Sequence, residues 1–484
     1  MSTNIQQYIQ NQISRAPVAL KSYTHDEEGK PYLTRGIFIR LEKLLNDFLE
    51  GQREIRIAVV PGLRGVGKTT VLAQLFMKIY HKMPDRIFYL SADQVVNTIG
   101  SDLNTAFEEY QRILGSSFEA LDKPLFIFID EVHFDHKWPS ILKGIYDRSK
   151  QIFILCTGSS ALSLQSSSDL ARRAIFEKLY PMNFTEYILL KTRHLATLNP
   201  QTRIKFPVKG LKDNLKKALF LSHNAEECFT QLQGLQNAVE QYWFGVDNLE
   251  IDHFLRFGTM PFALTIINLE RTHVLTHELI DKVIEKDLFE MGKFNVATIE
   301  RAKSILLMVA TSSEISINKI AGSIKNMAVN TLTDVLQAME KAEMLIRVYP
   351  YGSAYRQVRK PSKYHFMTPA IRHVLATLIE GQKAFESFKG YYLEDIIALT
   401  LYREFGQKLL SPIMYDSAQG GADFIVNIQN QNIVIEVGYG KKGIKQTEAT
   451  LNKIGGGYGL VLSNSELELH NNIVKIPIKN FLLI

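Results

Sequence analysis

Residues 61–76 read PGLRGVGKTTVLAQLF. Within them GLRGVGKT has the spacing G-x-x-x-x-G-K-T, with Gly62, Gly67, Lys68 and Thr69 at the defining positions. An apolar run precedes it (IRIAVV, 55–60) and a helix-forming stretch follows (TTVLAQLFMKIYHKM, 69–83). That strand–loop–helix context gives the motif its meaning. Glycines let successive backbone N–H groups turn toward one point, and the start of a helix adds a favourable dipole for an anion. The stretch Gly62, Leu63, Arg64, Gly65, Val66, Gly67, Lys68, Thr69 and Thr70 is therefore expected to cradle a phosphate chain. Lys68 would reach the β- and γ-phosphates of ATP, and the Thr69 hydroxyl would ligate Mg2+.

Outward from this loop, short apolar runs alternate with amphipathic stretches. RIFYLSA (86–92), PLFIFID (124–130) and QIFILCT (151–157) read as strands, and LNTAFEEYQRIL (103–114) as a helix. Runs this apolar on both faces fit a parallel sheet covered by helices, and their order gives the α/β class. Asp130 ends the strand LFIFID, where an open α/β sheet binds ligands. It would hold Mg2+, and Glu131 would polarise an attacking water. Thr157 and Ser159 leave the next strand (FILCTGSSA), where a hydroxyl can orient that water or sense the γ-phosphate. Downstream, Arg172 and Arg173 offer charge to a transferred phosphate. The opposing reading of that pair is two ordinary surface cations.

Composition excludes several classes. The chain has 484 residues, 46% hydrophobic and 22% charged, which suits several globular domains rather than a disordered or fibrous protein. Cys156 and Cys228 stand far apart without metal-ligand spacing, which argues against a disulfide framework or structural zinc. No apolar run approaches the roughly 18–20 residues of a membrane helix. The first residues, MSTNIQQYIQNQISR, lack the apolar stretch of a signal peptide. A cytoplasmic protein is expected. The net charge of +6 permits nucleic-acid binding without requiring it.

The ordered set GLRGVGKTT, FIFIDEVHFDHKWPSILKGIYD, FILCTGSSA and RRAIFEKLYPMNFTEYI resembles AAA-type ATPases of the archaeal-ATPase group. These are similar to the signal-transducing P-loop ATPases with numerous domains (STAND). The resemblance implies a nucleotide switch more than a processive motor. FLRFGTMPFALTII resembles the Gly-x-Pro lid motif of that class at Gly258, Met260 and Pro261, which implies that Pro261 packs on the nucleotide. A helix start with proline in its first turn is the alternative. Arg35, in PYLTRGIFIRLEKLL, is the polar candidate for an adenine contact.

Farther along, ERAKSILLMVATSS, ISINKIAGSI and NTLTDVLQAMEKAEMLI read as three helices, and IRVYPYGSAYRQVRKPSKYHFM as a β wing. Such an order makes a winged helix-turn-helix. The wing carries Arg347, Arg356, Arg359, Lys360 and Lys363 among Tyr349, Tyr351 and Tyr355, a pattern suited to nucleic acid. A packing module between domains is the opposing reading. The last hundred residues resemble a restriction-endonuclease-like core. Asp423 and Glu436 match its two acids, and Glu394 would be a third ligand of Mg2+. The lysine that core places two residues after the second acid is absent, because position 438 is glycine; Lys441 or Lys442 would have to reach in.

The expected organisation is an N-terminal arm (1–36, polar and irregular), a P-loop AAA-type ATPase domain (37–200) and a helical lid (201–297). A winged helix (298–378) and a nuclease-like α/β domain (385–484) follow. ATP, ADP and Mg2+ are the expected ligands, and the expected partners are double-stranded DNA, a protein or a second copy of the chain, but no membrane. Three functions remain open: an ATP-hydrolysing switch, an ATP-regulated Mg2+-dependent nuclease, and a non-catalytic DNA-binding or scaffolding protein.

Overall fold

Among the described residues of the first 180, three strands are buried along their whole length: Ile57–Pro61 (β1), Leu125–Asp130 (β3) and Ile152–Gly158 (β4). With Ile87–Ser91 (β2) and Ala174–Phe176 (β5) they form a five-stranded sheet in the order β2-β3-β4-β1-β5, every neighbouring pair parallel. A strand with no polar face needs cover on both sides. Helix Gly36–Leu49 (α2) precedes β1, and helices Lys68–Tyr80 (α3), Leu103–Leu114 (α4) and Trp138–Arg148 (α5) lie between successive strands in sequence. This computed structural model describes residues 2–484 except 27, 159–169, 171, 267, 289–293, 313–319, 321, 325–326, 354–356, 358–359 and 407–411. It divides into two compact units, Met1–Tyr180 and Pro181–Ile484. Among the described residues no helix is long and apolar enough to cross a membrane.

Strand order decides what can meet. β4 is inserted between β1 and β3, with Pro61 opposite Gly158 and Ile129 opposite Cys156. The carboxyl end of β4 therefore stands between the loop leaving β1 and the two acids that end β3.

The first 36 residues depart from expectation. Ser2–Lys21 is a helix (α1), not an irregular arm. Ile5, Tyr8, Ile9, Ala16 and Leu20 are buried, and the first three join the core of β1, β3 and α4. Glutamines, asparagines and serines dilute the apolar stripe, and Pro17 reads as a breaker, so burial decides the helix where local preference does not.

The second unit begins with helices Phe184–Leu198, Leu211–Phe220, Ala225–Trp243 and Leu269–Lys282. Asn183, Asn224 and Asn268 start three of these, each side chain accepting from backbone amides of the first turn. Helices Val296–Thr311 and Val329–Lys341 precede an antiparallel hairpin of Leu345–Pro350 (β6) and Lys363–Phe366 (β7). Part of the expected middle helix ISINKIAGSI, with Tyr355, Arg356 and Arg359 of the expected wing, lies outside the described residues.

Helices Pro369–Glu380 and Ala384–Phe405 lead to Met414–Tyr415 (β8), Phe424–Ile428 (β9), Gln431–Val437 (β10), Tyr458–Ser463 (β11), Glu468–His470 (β12) and Ile473–Pro477 (β13). The sheet order is β12-β13-β11-β10-β9-β8-β6-β7. The hairpin expected as a wing and the segment expected as nuclease-like thus share one sheet. β6 pairs with β8, and the Tyr349 and Tyr351 amides donate to Ile413 and Tyr415. Arg372 anchors the junction. It is 1% exposed, grips Asp395 with Nε–Oδ2 at 2.6 Å and NH2–Oδ1 at 2.8 Å, and donates to the Val309 and Ala310 carbonyls.

Candidate functional site

The loop after β1 needs glycine for two separate reasons. Gly65 and Gly67 have φ of +83° and +94°, left-handed values that a side chain disfavours. Gly62 is needed for space: a Cβ there would stand 2.3 Å from the Leu179 carbonyl oxygen. The chain after β5 lies alongside β1, with the Leu179 amide donating to Pro61 O at 2.8 Å. α3 starts at Lys68, so the loop hands directly into a helix N-terminus. Lys68 is buried, and its ammonium donates to Gly62 O (2.9 Å) and Leu63 O (3.3 Å).

Arg35, read as a candidate adenine contact, instead faces backbone. It is 7% exposed, and its NH1 and NH2 donate to Val66 O at 2.8 Å and Tyr180 O at 2.9 Å. One guanidinium thereby ties the loop to the last residue of the first unit. The pattern offered no signal for this, because the loop carbonyl it holds is set by tertiary packing.

Asp130 and Thr69 are 61 residues apart in sequence and in contact in the fold: Thr69 Oγ1 donates to Asp130 Oδ2 at 2.9 Å. Thr157, at the end of β4, donates to Asp130 Oδ1 and accepts the Glu131 amide at 3.1 Å. Burial and the neighbouring Glu131 push the Asp130 carboxyl up to about 6, against the opposing pull of Thr157, Thr69 and Lys68. A carboxylate buried against an acid neighbour, with a hydroxyl converging on it, is a fitting donor set for a hard cation such as Mg2+. His133 Nδ1 stands 3.3 Å from Glu131 Oε2, a contact the sequence reading did not assign.

Arg172 and Arg173, also named from the sequence, are not gathered here. Ser159 lies outside the described residues. Arg172 and Arg173 immediately precede β5, whose first residue Ala174 pairs with Ile57 at the start of β1. They stand at the opposite end of these two neighbouring strands from the phosphate loop, roughly 13 Å away along the strand. Arg172 is exposed, and Arg173 pairs bidentately with Asp147 at 2.9 and 3.2 Å. Pro261 belongs to the second unit, where Gly258 is hemmed in by Phe254 and Tyr187 and Pro261 opens a short 3-10 turn.

In the second unit, Glu394, Asp423 and Glu436 share one electrostatic neighbourhood. Burial and Asp423 push Glu394 up to about 8 and Glu436 up to about 7. The Val437 amide donates to Asp423 Oδ2 at 2.9 Å. Among the described residues, no group of three or more acids, histidines and cysteines is arranged to hold a metal ion. Two lysines supply the facing charge instead: Lys442 Nζ lies 2.7 Å from Glu436 Oε1, and Lys363 Nζ 3.7 Å from Asp423 Oδ1. A Cβ at Gly438 would sit 2.8 Å from Lys442 Cδ, so the glycine makes the room through which Lys442 reaches Glu436. Lys363, expected on a basic wing suited to nucleic acid, is buried, and Arg347 donates to Ser362 Oγ at 2.9 Å.

The parallel sheet with its glycine loop, the Thr69–Asp130 contact and the acid pair at the end of β3 define the first unit as a P-loop NTPase fold. Residues 54–188 match the AAA domain family, and residues 248–382 match a domain of unknown function, DUF8612. The chain belongs to the family of the uncharacterized protein MJ1637 of Methanocaldococcus jannaschii. The two are 30% identical over 487 residues, covering 99% of this chain and 93% of that one. The uncharacterized protein MJ1544 of the same organism is 23% identical over 72% of this chain and 67% of its own. Among solved structures, the Walker-type ATPase PABY2304 of Pyrococcus abyssi is similar at 14% identity, with TM-score 0.41, over 73% of this chain and 97% of that one.

Proposed function

We propose that the protein binds Mg2+-ATP in the first unit and hydrolyses it slowly, as a switch whose nucleotide state is read by the second unit. The observation that carries this reading is the Thr69–Asp130 hydrogen bond, which joins the phosphate loop to the acid pair. Thr69 and Asp130 would hold the cation, which when bound neutralises charge on the phosphate oxygens. Loop amides from Gly62 to Thr70 bind the phosphate chain, and Lys68 exchanges its two carbonyl partners for phosphate oxygens. Glu131 accepts the proton of the attacking water. A switch of this kind requires that ATP and ADP contact the protein differently; otherwise no equilibrium moves.

Phosphate release from ATP tests it. Wild type should turn over, Lys68→Ala should fail to bind, and Glu131→Gln should bind ATP while losing turnover by about a hundredfold or more. Equal turnover in wild type and Glu131→Gln would sink the assignment.

A second reading is favoured by Lys442. Lys442, four residues beyond Gly438, stands 2.7 Å from Glu436, and would take the part of the lysine absent at 438. That arrangement suits metal-dependent cleavage of a phosphodiester, with duplex DNA as substrate. Incubating duplex DNA with the protein, Mg2+ and ATP, and comparing Asp423→Ala, decides it. Cutting that Asp423→Ala abolishes supports a nuclease; intact DNA with ATP turnover raised by it supports a DNA-responsive switch. Intact DNA and unchanged turnover point to a protein partner.

A further inference from the structure

We propose that His133 is the positioning residue for Glu131: it fixes the plane of the carboxylate that handles the attacking water. The inference rests on the ATPase reading and adds a residue to it. It comes from the shape of the turn after β3. Glu131 has φ +53° and ψ +45°, a left-handed conformation that costs a non-glycine residue on the order of 1 kcal/mol. Two hydrogen bonds hold it there: its amide donates to Thr157 Oγ1 at 3.1 Å, and its carbonyl accepts the Phe134 amide at 3.2 Å.

The left-handed residue reverses the chain into a single 3-10 turn, Val132–Phe134. That reversal is what brings a side chain two residues on back against Glu131. His133 Nδ1 reaches to 3.3 Å from Glu131 Oε2, with the two side chains 8% and 17% exposed. Val132 and Phe134 are buried on either side, and the imidazole packs on the Phe134 ring at 4.7 Å. The far end of the turn is pinned as well. Asp135 is buried and accepts the Leu103 and Lys137 amides, each at 2.8 Å. An imidazole fixed on so short a turn has little freedom, and it passes that order to the carboxylate it touches. A base held in line with its water gains rate through orientation, not through tighter binding of substrate.

Two substitutions separate this role from packing. His133→Phe keeps a ring against Phe134 and removes the nitrogen that stands 3.3 Å from Glu131 Oε2. His133→Asn keeps a polar atom near the position of Nδ1 and removes the ring. Steady-state hydrolysis of Mg2+-ATP is measured for both, with the affinity for a non-hydrolysable ATP analogue. The expected result is a fall in kcat of about tenfold or more for His133→Phe, with KM and analogue affinity within about twofold, and recovery of most of kcat in His133→Asn. Unchanged or raised kcat in His133→Phe overturns the proposal. So does the reverse order, with His133→Asn impaired and His133→Phe active, which would be packing alone. Glu131→Gln serves as the control. If it turns over ATP as fast as wild type, the ATPase reading fails; if it is dead while His133→Phe is unaffected, only this inference fails.

Discussion

Gly62 and Gly67 look equivalent in the motif, yet the fold constrains them differently. Gly67 supplies a backbone conformation; Gly62 supplies an absence of atoms beside Leu179 O. Gly62→Ala should therefore displace a backbone carbonyl of the strand-following segment, not a flexible side chain. We expect ATP affinity to fall by more than about tenfold, read by fluorescent-nucleotide titration, while the unfolding midpoint of the unit drops by about 1–3 kcal/mol equivalent. Unaltered affinity would show that the segment ending at Tyr180 yields freely. Lys68 and Thr69 were legible because the spacing of their motif is short, and Asp130 because it ends an apolar run. Arg35 and His133 were not, since each acts on a partner that only folding brings near.

Among elements, two connections set the chemistry. β4 inserted between β1 and β3 puts the Thr157 hydroxyl between the Asp130 carboxylate and the Glu131 amide. In the second unit, Arg372 binds two other elements at once: Asp395 on the helix Ala384–Phe405, and through NH1 the end of the helix Val296–Thr311. Asp395 in turn accepts the Phe366 amide at the end of β7. The pair is fully buried, so removing one partner strands a charge. Arg372→Ala should destabilise the second unit by about 3–5 kcal/mol in urea unfolding. A loss below about 1 kcal/mol would mean that water reaches Asp395 in the variant.

Across the whole molecule, the second unit reads as one sheet where the sequence suggested two modules. Shared strands make its hairpin and its carboxylate cluster answer to the same packing. Glu394 offers a test of that cluster. Its carboxyl is raised from the ordinary 4.5 to about 8 by burial and by Asp423. The folded chain thus keeps this proton to higher pH than the unfolded chain does. Its contribution to stability is full below about pH 4.5 and is lost as pH rises through 8. Glu394→Gln carries a neutral group at every pH. It should match wild type near pH 5 and exceed it at pH 9 by on the order of 1–3 kcal/mol, in urea midpoints taken across that range. Parallel midpoints from pH 5 to 9 would show that Glu394 is ionised in the fold.

Sequence alone determined the parallel α/β sheet and its phosphate loop. Apolar runs without a polar face admit only a covered strand, and the glycine–lysine–threonine spacing is a local requirement of phosphate binding. It also identified the acids of both clusters. Only tertiary structure decided that Ser2–Lys21 is a packed helix, because its apolar stripe is sparse and gains its stability from the core it covers. Tertiary structure likewise put Arg172 and Arg173 at the end of the sheet away from the phosphate loop, since direction along β5 is not written in its three residues. It also chose Lys442 to face Glu436: reach across Gly438 depends on a missing side chain, an opening that no spacing rule encodes.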